Sequence, residues 1–280
     1  DAGHEVPLVV THPDGTDAYE KIFNESVAEL AADHGIPLLV RNRAEDVEVT
    51  AAITAAEADV MVVSNWRTWL PPEVYSIPRL GTLNVHDALL PAYAGFAPLN
   101  WALINDEAEV GVTAHMMNAE FDAGDVVLQW ATPISDDDTI VELFDRTLAM
   151  FGPITVEGLA LLESGRTDWP AQDRRRASYF HRRTDEENRI DWAWPARDIF
   201  NLVRAQVLSA SVTDDAVGGT PGRVLIRRGT GVVVVAGADA RRGRNPGVLI
   251  HRVRLDDGRE LDAADYFPRM GEYLTAHPRE

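Results

Sequence analysis

Four short, nearly uniform apolar runs recur through the first third of the chain: Val6 to Val10, Leu38 to Val40, Val60 to Val63 and Thr82 to Val85. A run that is apolar at successive rather than alternate positions suits a strand buried on both faces, and strands separated by helices make a parallel sheet. Between the first two runs, Tyr19 to His34 carries Ile22, Phe23, Val27, Leu30 and Ala31 at helical spacing and closes on Gly35 and Pro37. Glu45 to Glu57 and Pro98 to Asn105 read as further helices, and Val110 to Met117 and Val126 to Trp130 as further strands. Asp138 to Ser164 reads as a long helix that Gly152-Pro153 is expected to kink or break. Residues 1–165 are therefore predicted to form an α/β domain, with a Rossmann-like, mostly parallel sheet and helices on both faces.

After Gly165 the texture changes. Residues 166–206 read as a polar linker followed by a helix near Pro195 to Ala205. Short Gly-bounded strands at Val224 to Arg228, Val232 to Ala236 and Val248 to Leu255, with a closing helix over Asp265 to Thr275, predict a smaller β-rich domain over 207–280. Gly229-Thr230-Gly231 and Ala236-Gly237-Ala238 open no helix and read as hairpin turns rather than nucleotide loops.

Among 280 residues there is no cysteine, which excludes disulfides, thiolate zinc sites and cysteine nucleophiles. The sequence holds neither an 18-residue apolar run nor a basic signal peptide, so a cytoplasmic protein with no membrane partner is expected. With 26 basic against 45 acidic side chains the formal net charge is -19, which disfavours a nucleic-acid partner. Local basic clusters at Arg174-Arg175-Arg176, His181-Arg182-Arg183 and Arg241-Arg242 can still hold one phosphate or carboxylate, although solvated surface charge is their ordinary reading.

The chemistry concentrates between Thr82 and Asp125. Asn84 and His86 lie two apart at the end of an apolar strand, so both side chains project from one face. Asp122 opens the turn Asp122-Ala123-Gly124-Asp125, which can return a carboxylate to that imidazole. An amide donor, an imidazole and a carboxylate without a Ser or Cys nucleophile point to direct group transfer. Each also has a bland reading: Asn84 as a turn or cap residue, His86 as a packed histidine, Asp122 and Asp125 as turn formers that spacing does not separate. His115, two residues from Met117 on the next strand, can approach the site but reads first as a packing histidine; Trp101 and Met117 read as core, and Trp66, Trp69 and Phe96 as either core or pocket wall. His86, His115 and Asp122 also fit a two-His, one-carboxylate metal pattern, but no His-Glu-x-x-His-type signature supports it, and no metal is assigned.

Asn84-x-His86, Leu89-Leu90-Pro91, Gly95, Gly111-Val112-Thr113 and Asp122-x-Gly124-Asp125, in this order, resemble the folate-dependent formyltransferases. Tyr179 to Thr184 and Arg189 to Trp192 resemble the segment leading into the small C-terminal (OB-like) domain of that family. Asn65-Trp66-Arg67-Thr68-Trp69-Leu70-Pro71, Tyr93-Ala94-Gly95-Phe96 and Gly218 to Arg223 most resemble an actinobacterial branch found with siderophore synthesis, whose acceptor is an N-hydroxyornithine. There are departures. Ala88 stands where Ser is usual, and Ala94 where Arg is common. The family's opening strand and a Pro-x-Pro-x-Ala-Phe-like stretch after Gln206 are absent, so further residues are expected before Asp1 and between Gln206 and Val207.

The resemblance implies formyl transfer from 10-formyltetrahydrofolate to the amine or hydroxylamine of a small acceptor. Asn84 and protonated His86 would meet the tetrahedral oxyanion, and Asp122, chosen over Asp125 by the family position, would orient His86 and accept the amine proton. Main-chain groups of Thr68, Trp69 and Leu70 would read the pterin edge, with Asn118, Glu120 and Phe121 closing the other side. N-hydroxyornithine is the first-choice acceptor. An amino-sugar nucleotide gripped by Arg182 and Arg183 is next, and methionyl-tRNA is third. Hydrolysis of the same formyl donor is the alternative reaction, in enzymes whose usual N-terminal regulatory domain is not expected here; a non-catalytic folate-binding protein is a third class. The C-terminal domain is expected to shape the acceptor pocket or to pair two subunits as a homodimer.

Overall fold

The computed structural model describes residues 2–14, 26–206, 209–217, 219–238, 246–255 and 259–267. In chain order its main elements are β1 (Val9–Thr11), α1 (Val27–Asp33), β2 (Leu38–Val40), α2 (Val47–Ala56), β3 (Met61–Ser64), α3 (Pro72–Tyr75), β4 (Thr82–His86), β5 (Ala94–Gly95), α4 (Pro98–Ile104), β6 (Glu109–Met116), β7 (Val126–Pro133), α5 (Ile140–Glu163), β8 (Tyr179–Phe180), α6 (Ala196–Arg204), β9 (Ala210–Ala216), β10 (Val224–Arg228), β11 (Gly231–Val234), β12 (Pro246–Ile250), β13 (Arg252–Arg254), β14 (Glu260–Asp262) and α7 (Ala263–Tyr266). Part of the helix expected over Tyr19 to His34, the cluster Arg241-Arg242, residues beyond Phe267 of the expected closing helix, and Val207-Leu208 lie outside the described residues.

Two compact units emerge. The first comprises Asp1–Gly95, Gly111–Thr132 and Phe144–Tyr179, the second Phe96–Val110, Pro133–Leu143 and Phe180–Glu280. In the first unit β1 pairs with β2 in parallel, and β3 with β4 in parallel. The four-stranded sheet has the order β3-β4-β6-β7, and β6 runs antiparallel to β4. The sheet is thus parallel through the βα repeats and reverses at β6, which follows β4 after the segment holding β5 and α4.

Strand periodicity explains why β4 carries the site. Leu83 and Val85 point to one face, where they pack with Val112, Ala114 and Val127 of the sheet and Ile154 and Leu162 of α5. Asn84 and His86 must then point to the other face. Burying two such branched side chains contributes about 1.5–3 kcal/mol each, enough to fix the register that exposes the polar pair to the site. Gly152-Pro153 does not break the helix as expected: α5 runs unbroken from Ile140 to Glu163 with Pro153 inside it. The buried Ile154 directly after the proline sits in the core with Leu83, so tertiary packing overrides the local penalty.

The second unit holds a four-stranded sheet of order β10-β11-β12-β9 with antiparallel pairings, and a separate β13-β14 hairpin. Ile199 and Val203 of α6 pack with Val224, Val232, Val234 and Val248 in its core. The strand expected from Val248 to Leu255 is two strands, β12 and β13, with His251 between them, and each pairs with a different partner. No helix among the described residues is long and apolar enough to cross a membrane.

Candidate active site

The antiparallel register of β4 and β6 sets Asn84 opposite His115 and His86 opposite Thr113. Asn84 Nδ2 lies 3.0 Å from His115 Nε2 and donates to Asp122 Oδ1 at 3.3 Å. His115 is therefore part of the cluster rather than a packing residue; it is 2% exposed, and its Nε2 is 3.8 Å from the same Asp122 oxygen. Its alternation with Thr113 on β6 was the available signal.

The carbonyls around the site fix the tautomers. His115 Nδ1 is 3.1 Å from the Met116 carbonyl, which can only accept, so Nδ1 carries the hydrogen and Nε2 accepts from Asn84. His86 Nε2 is 3.1 Å from the Tyr93 carbonyl, so that nitrogen also bears a hydrogen. His86 Nε2–H donates to the Tyr93 carbonyl rather than to Asp122, and that carbonyl orients the ring; Asp122 Oδ2 stands 3.9 Å from Nε2, at ion-pair distance. Tyr93 holds φ of 60°, a left-handed conformation unusual for a bulky residue, which aims its carbonyl at the imidazole at a cost of about 1–3 kcal/mol.

Asp122 sits at φ 48°, which a short polar side chain tolerates better than most. Its backbone carbonyl and that of Gly124 both accept from Gln172 Nε2, at 2.8 and 2.7 Å. A Cβ on Gly124 would fall 1.6 Å from the Met116 carbonyl oxygen, so only glycine lets this loop close on β6. Asp122 Oδ2 accepts from the Gly95 amide at 2.9 Å. Burial opposes the Asp122 charge, but neighbouring His115, the charge of His86 and the Gly95 amide outweigh it and hold the carboxyl at a pKa of about 2. The side chain is thus an anion throughout the neutral range. Asp125 contributes its carbonyl, which accepts from Met116 N at 2.9 Å.

The turn after β4 lacks the hydroxyl usual at position 88, and other groups hold it. Thr113 Oγ1 donates to the Ala88 carbonyl at 2.6 Å and accepts from Leu90 N at 3.2 Å, while Gln129 Nε2 reaches both Thr113 Oγ1 and the Leu90 carbonyl.

Of the expected pocket residues, Trp69 and Phe121 meet edge to face with ring centroids 5.0 Å apart, joining the segment after β3 to the loop before Asp122. Phe121 is 56% exposed, while Leu70 is buried in the core beneath. Trp66 Nε1 and Thr68 Oγ1 are buried without a hydrogen-bond partner. Trp66 stacks on His12 at 4.1 Å, and His12 Nε2 accepts from Arg67 N at 3.2 Å; burial, then the Arg67 charge, pull the His12 pKa below its ordinary value. Asn118 Oδ1 accepts from Glu120 N at 2.9 Å, shaping the loop. Glu120 pairs with Arg174, so its carboxylate is turned toward that guanidinium. Trp101, expected in the core, is half-buried in the second unit, stacked on His181 and donating to its carbonyl. Phe96 is exposed.

A folded α/β unit with this amide, imidazole and carboxylate at one sheet end defines a class. Residues 1–157 match the model "Formyl transferase" and residues 182–271 the model "Formyl transferase, C-terminal domain", and the chain belongs to this family of folate-dependent N-formyltransferases, whose formyl donor is 10-formyltetrahydrofolate. Among its relatives, the methionyl-tRNA formyltransferase of Pseudomonas putida (strain GB-1) is 33% identical over 293 residues, covering 99% of this chain and 92% of that protein. The methionyl-tRNA formyltransferase of Pseudomonas syringae pv. tomato (strain ATCC BAA-871 / DC3000) is 34% identical over 282 residues, with coverages of 95% and 88%. The fold is also that of an N-formyltransferase from Helicobacter canadensis solved with folinic acid and dTDP-3-aminofucose, at a TM-score of 0.64, 16% identity, and coverage of 88% of this chain and 99% of that chain. HypX from Aquifex aeolicus, solved with tetrahydrofolic acid, superposes at a TM-score of 0.59 with 19% identity, over 93% of this chain and 46% of that chain.

Proposed function

We propose that Asn84, His86 and Asp122 carry formyl transfer from 10-formyltetrahydrofolate to the nitrogen of a small amine or hydroxylamine, with the side chain of N-hydroxyornithine as first choice. The observation that carries this reading is the convergence of the three groups, with the Asp122 carboxylate ionised and within 3.9 Å of His86 Nε2. When bound, the folate presents an activated one-carbon acyl group. Asn84 and His86 are N–H donors at one sheet end and would meet the developing oxyanion. Asp122 is the base positioned to take the proton from the attacking nitrogen. The segment after β3 suits a pterin: Trp69 meets the exposed Phe121 edge to face, an aromatic wall against which a flat heterocycle can pack. In this reading residues 1–165 form the catalytic domain.

The net charge of -19 supports a free amino acid bearing an ammonium over a polyanion, and residues 65–71 and 93–96 resemble the siderophore-associated branch. The named relatives carry the competing reading, in which methionyl-tRNA is the acceptor. The test is to mix the protein with 10-formyltetrahydrofolate and, separately, N-hydroxyornithine, a 4-amino sugar nucleotide, methionyl-tRNA or buffer, and follow tetrahydrofolate release. Release only with N-hydroxyornithine is the expected result. Equal release in buffer would identify a hydrolase, and release with methionyl-tRNA alone would replace the acceptor.

A further inference from the structure

His86 has a second carboxylate neighbour that the reaction outlined above does not use. Its Nε2 faces the Tyr93 carbonyl at 3.1 Å and Asp122 Oδ2 at 3.9 Å. Its other ring nitrogen, Nδ1, stands 4.0 Å from Asp87 Oδ1, the side chains being 10% and 18% exposed. Because Nε2 already bears the hydrogen that meets Tyr93, a proton on Nδ1 is what separates neutral from cationic imidazole. Asp87 is the carboxylate on that nitrogen.

We propose that Asp87 is a positioning residue for His86: its carboxylate, across from Nδ1, stabilises the proton there and keeps the imidazole cationic, which strengthens Nε2–H as a donor. This rests on the formyl-transfer reading only in taking His86 as an oxyanion donor. Four groups bear on the titration. Asp87 adjoins His86 at the end of β4, Asp122 comes from the loop after β6, His115 lies on β6 beside Asp122, and the Tyr93 carbonyl comes from the turn before β5. His115 bears on the cluster through Asp122, whose pKa it helps to lower. Burial pushes the Asp87 carboxyl up, the His86 charge pulls it down, and Asp122 adds a further push upward, as expected for a carboxyl sharing an enclosed site with both. The Asp87 charge, and with it the support to Nδ1, is therefore lost as pH falls through the raised Asp87 value.

The test is a histidine Cε1–H NMR titration of the wild type and of Asp87→Asn, Asp87→Ser and Asp87→Glu, with His86→Gln to assign the signal and circular dichroism to confirm each fold. The His86 midpoint should fall by at least about half a pH unit in a folded neutral variant, as expected for losing a unit charge at this distance, and Asp87→Glu should restore most of it. The alkaline limb of kcat/KM should move by the same amount, with KM for 10-formyltetrahydrofolate unchanged. The wild type should also show an acid-side inflection of the His86 signal above pH 3.8, the ordinary value that Asp87 exceeds, so the proposal remains testable if neither neutral variant folds. An unmoved midpoint in a folded neutral variant, or no such inflection, overturns it. Absence of formyl transfer by the wild type would sink the functional reading and leave the NMR result standing, so the two failures are separable.

Discussion

Asp122→Asn keeps the side-chain volume and removes one charge, so its effect can be worked from the contacts of two oxygens. Oδ1 accepts from Asn84 Nδ2 and Oδ2 from the Gly95 amide. A carboxamide has one acceptor, so whichever way it turns, its NH₂ faces a donor, at a cost of about 1–2 kcal/mol. The charge has its own value. The native carboxyl is held at about 2 against an ordinary 3.8, so the group contributes about 2 kcal/mol to folding at neutral pH. A depressed carboxylate pKa gives stability that is complete above the unfolded-state value and lost as pH falls through the native one. The wild type should therefore exceed the variant by about 3–4 kcal/mol in urea unfolding at pH 7, and this gap should begin to close below about pH 4 and narrow by about 2 kcal/mol as pH approaches 2. A gap below about 0.5 kcal/mol at pH 7, or one that stays constant through the acid window, would refute the reasoning.

Asn84→Ala removes a donor from the proposed oxyanion site and should lower kcat by about a hundredfold or more, measured as tetrahydrofolate release, with the fold retained. Gly124→Ala forces its new Cβ against the Met116 carbonyl that holds His115 Nδ1–H, and should cost roughly 1–3 kcal/mol in thermal or urea unfolding as the loop shifts. Trp69→Ala should raise KM for 10-formyltetrahydrofolate about tenfold while kcat changes little, since the edge-to-face pair with Phe121 would bind substrate and transition state alike; an unchanged KM removes Trp69 from the pocket.

The strands of the first unit were legible because they are short, apolar at successive positions and bounded by turn residues, and β4 in particular follows from Leu83 and Val85 alternating with Asn84 and His86. Local signals put a kink or break at Gly152-Pro153; the break does not occur, and α5 continues through the proline. They missed β9, whose Thr213-Asp214-Asp215 lacks an apolar run although the strand pairs with β12. Within the site, spacing placed Asn84 and His86 but not the contacts made across the sheet. His115 became legible only through the β4-β6 register, and Tyr93 acts through a backbone carbonyl that no side-chain pattern records. Gln172 arrives from 50 residues beyond Asp122, with no local motif to mark it. Asp87 was visible beside His86, yet nothing in a strand pattern says which ring nitrogen its carboxylate will face.

In the resting site every N–H of the proposed reaction is already engaged: Asn84 donates to His115 and Asp122, and His86 to Tyr93. Formyl transfer here requires that an oxyanion take over one of these donors. The Asn84–Asp122 bond, at 3.3 Å, is longer than the 3.0 Å contact to His115, and exchanging it changes two groups together. Asn84 gains an N–H for the oxyanion, and Asp122 Oδ1 gains a free lone pair for the amine proton. Losing a donor also makes a carboxylate more basic, so Asp122 strengthens as a base when the attacking nitrogen, now cationic, must shed its proton. His115 cannot be the partner exchanged without loss, because its Nδ1–H, held by Met116, keeps Nε2 an acceptor that stops the Asn84 amide from rotating. In the proposed reaction the longer hydrogen bond would couple oxyanion stabilisation to proton removal, and the shorter one beside it would hold the geometry in which that coupling works.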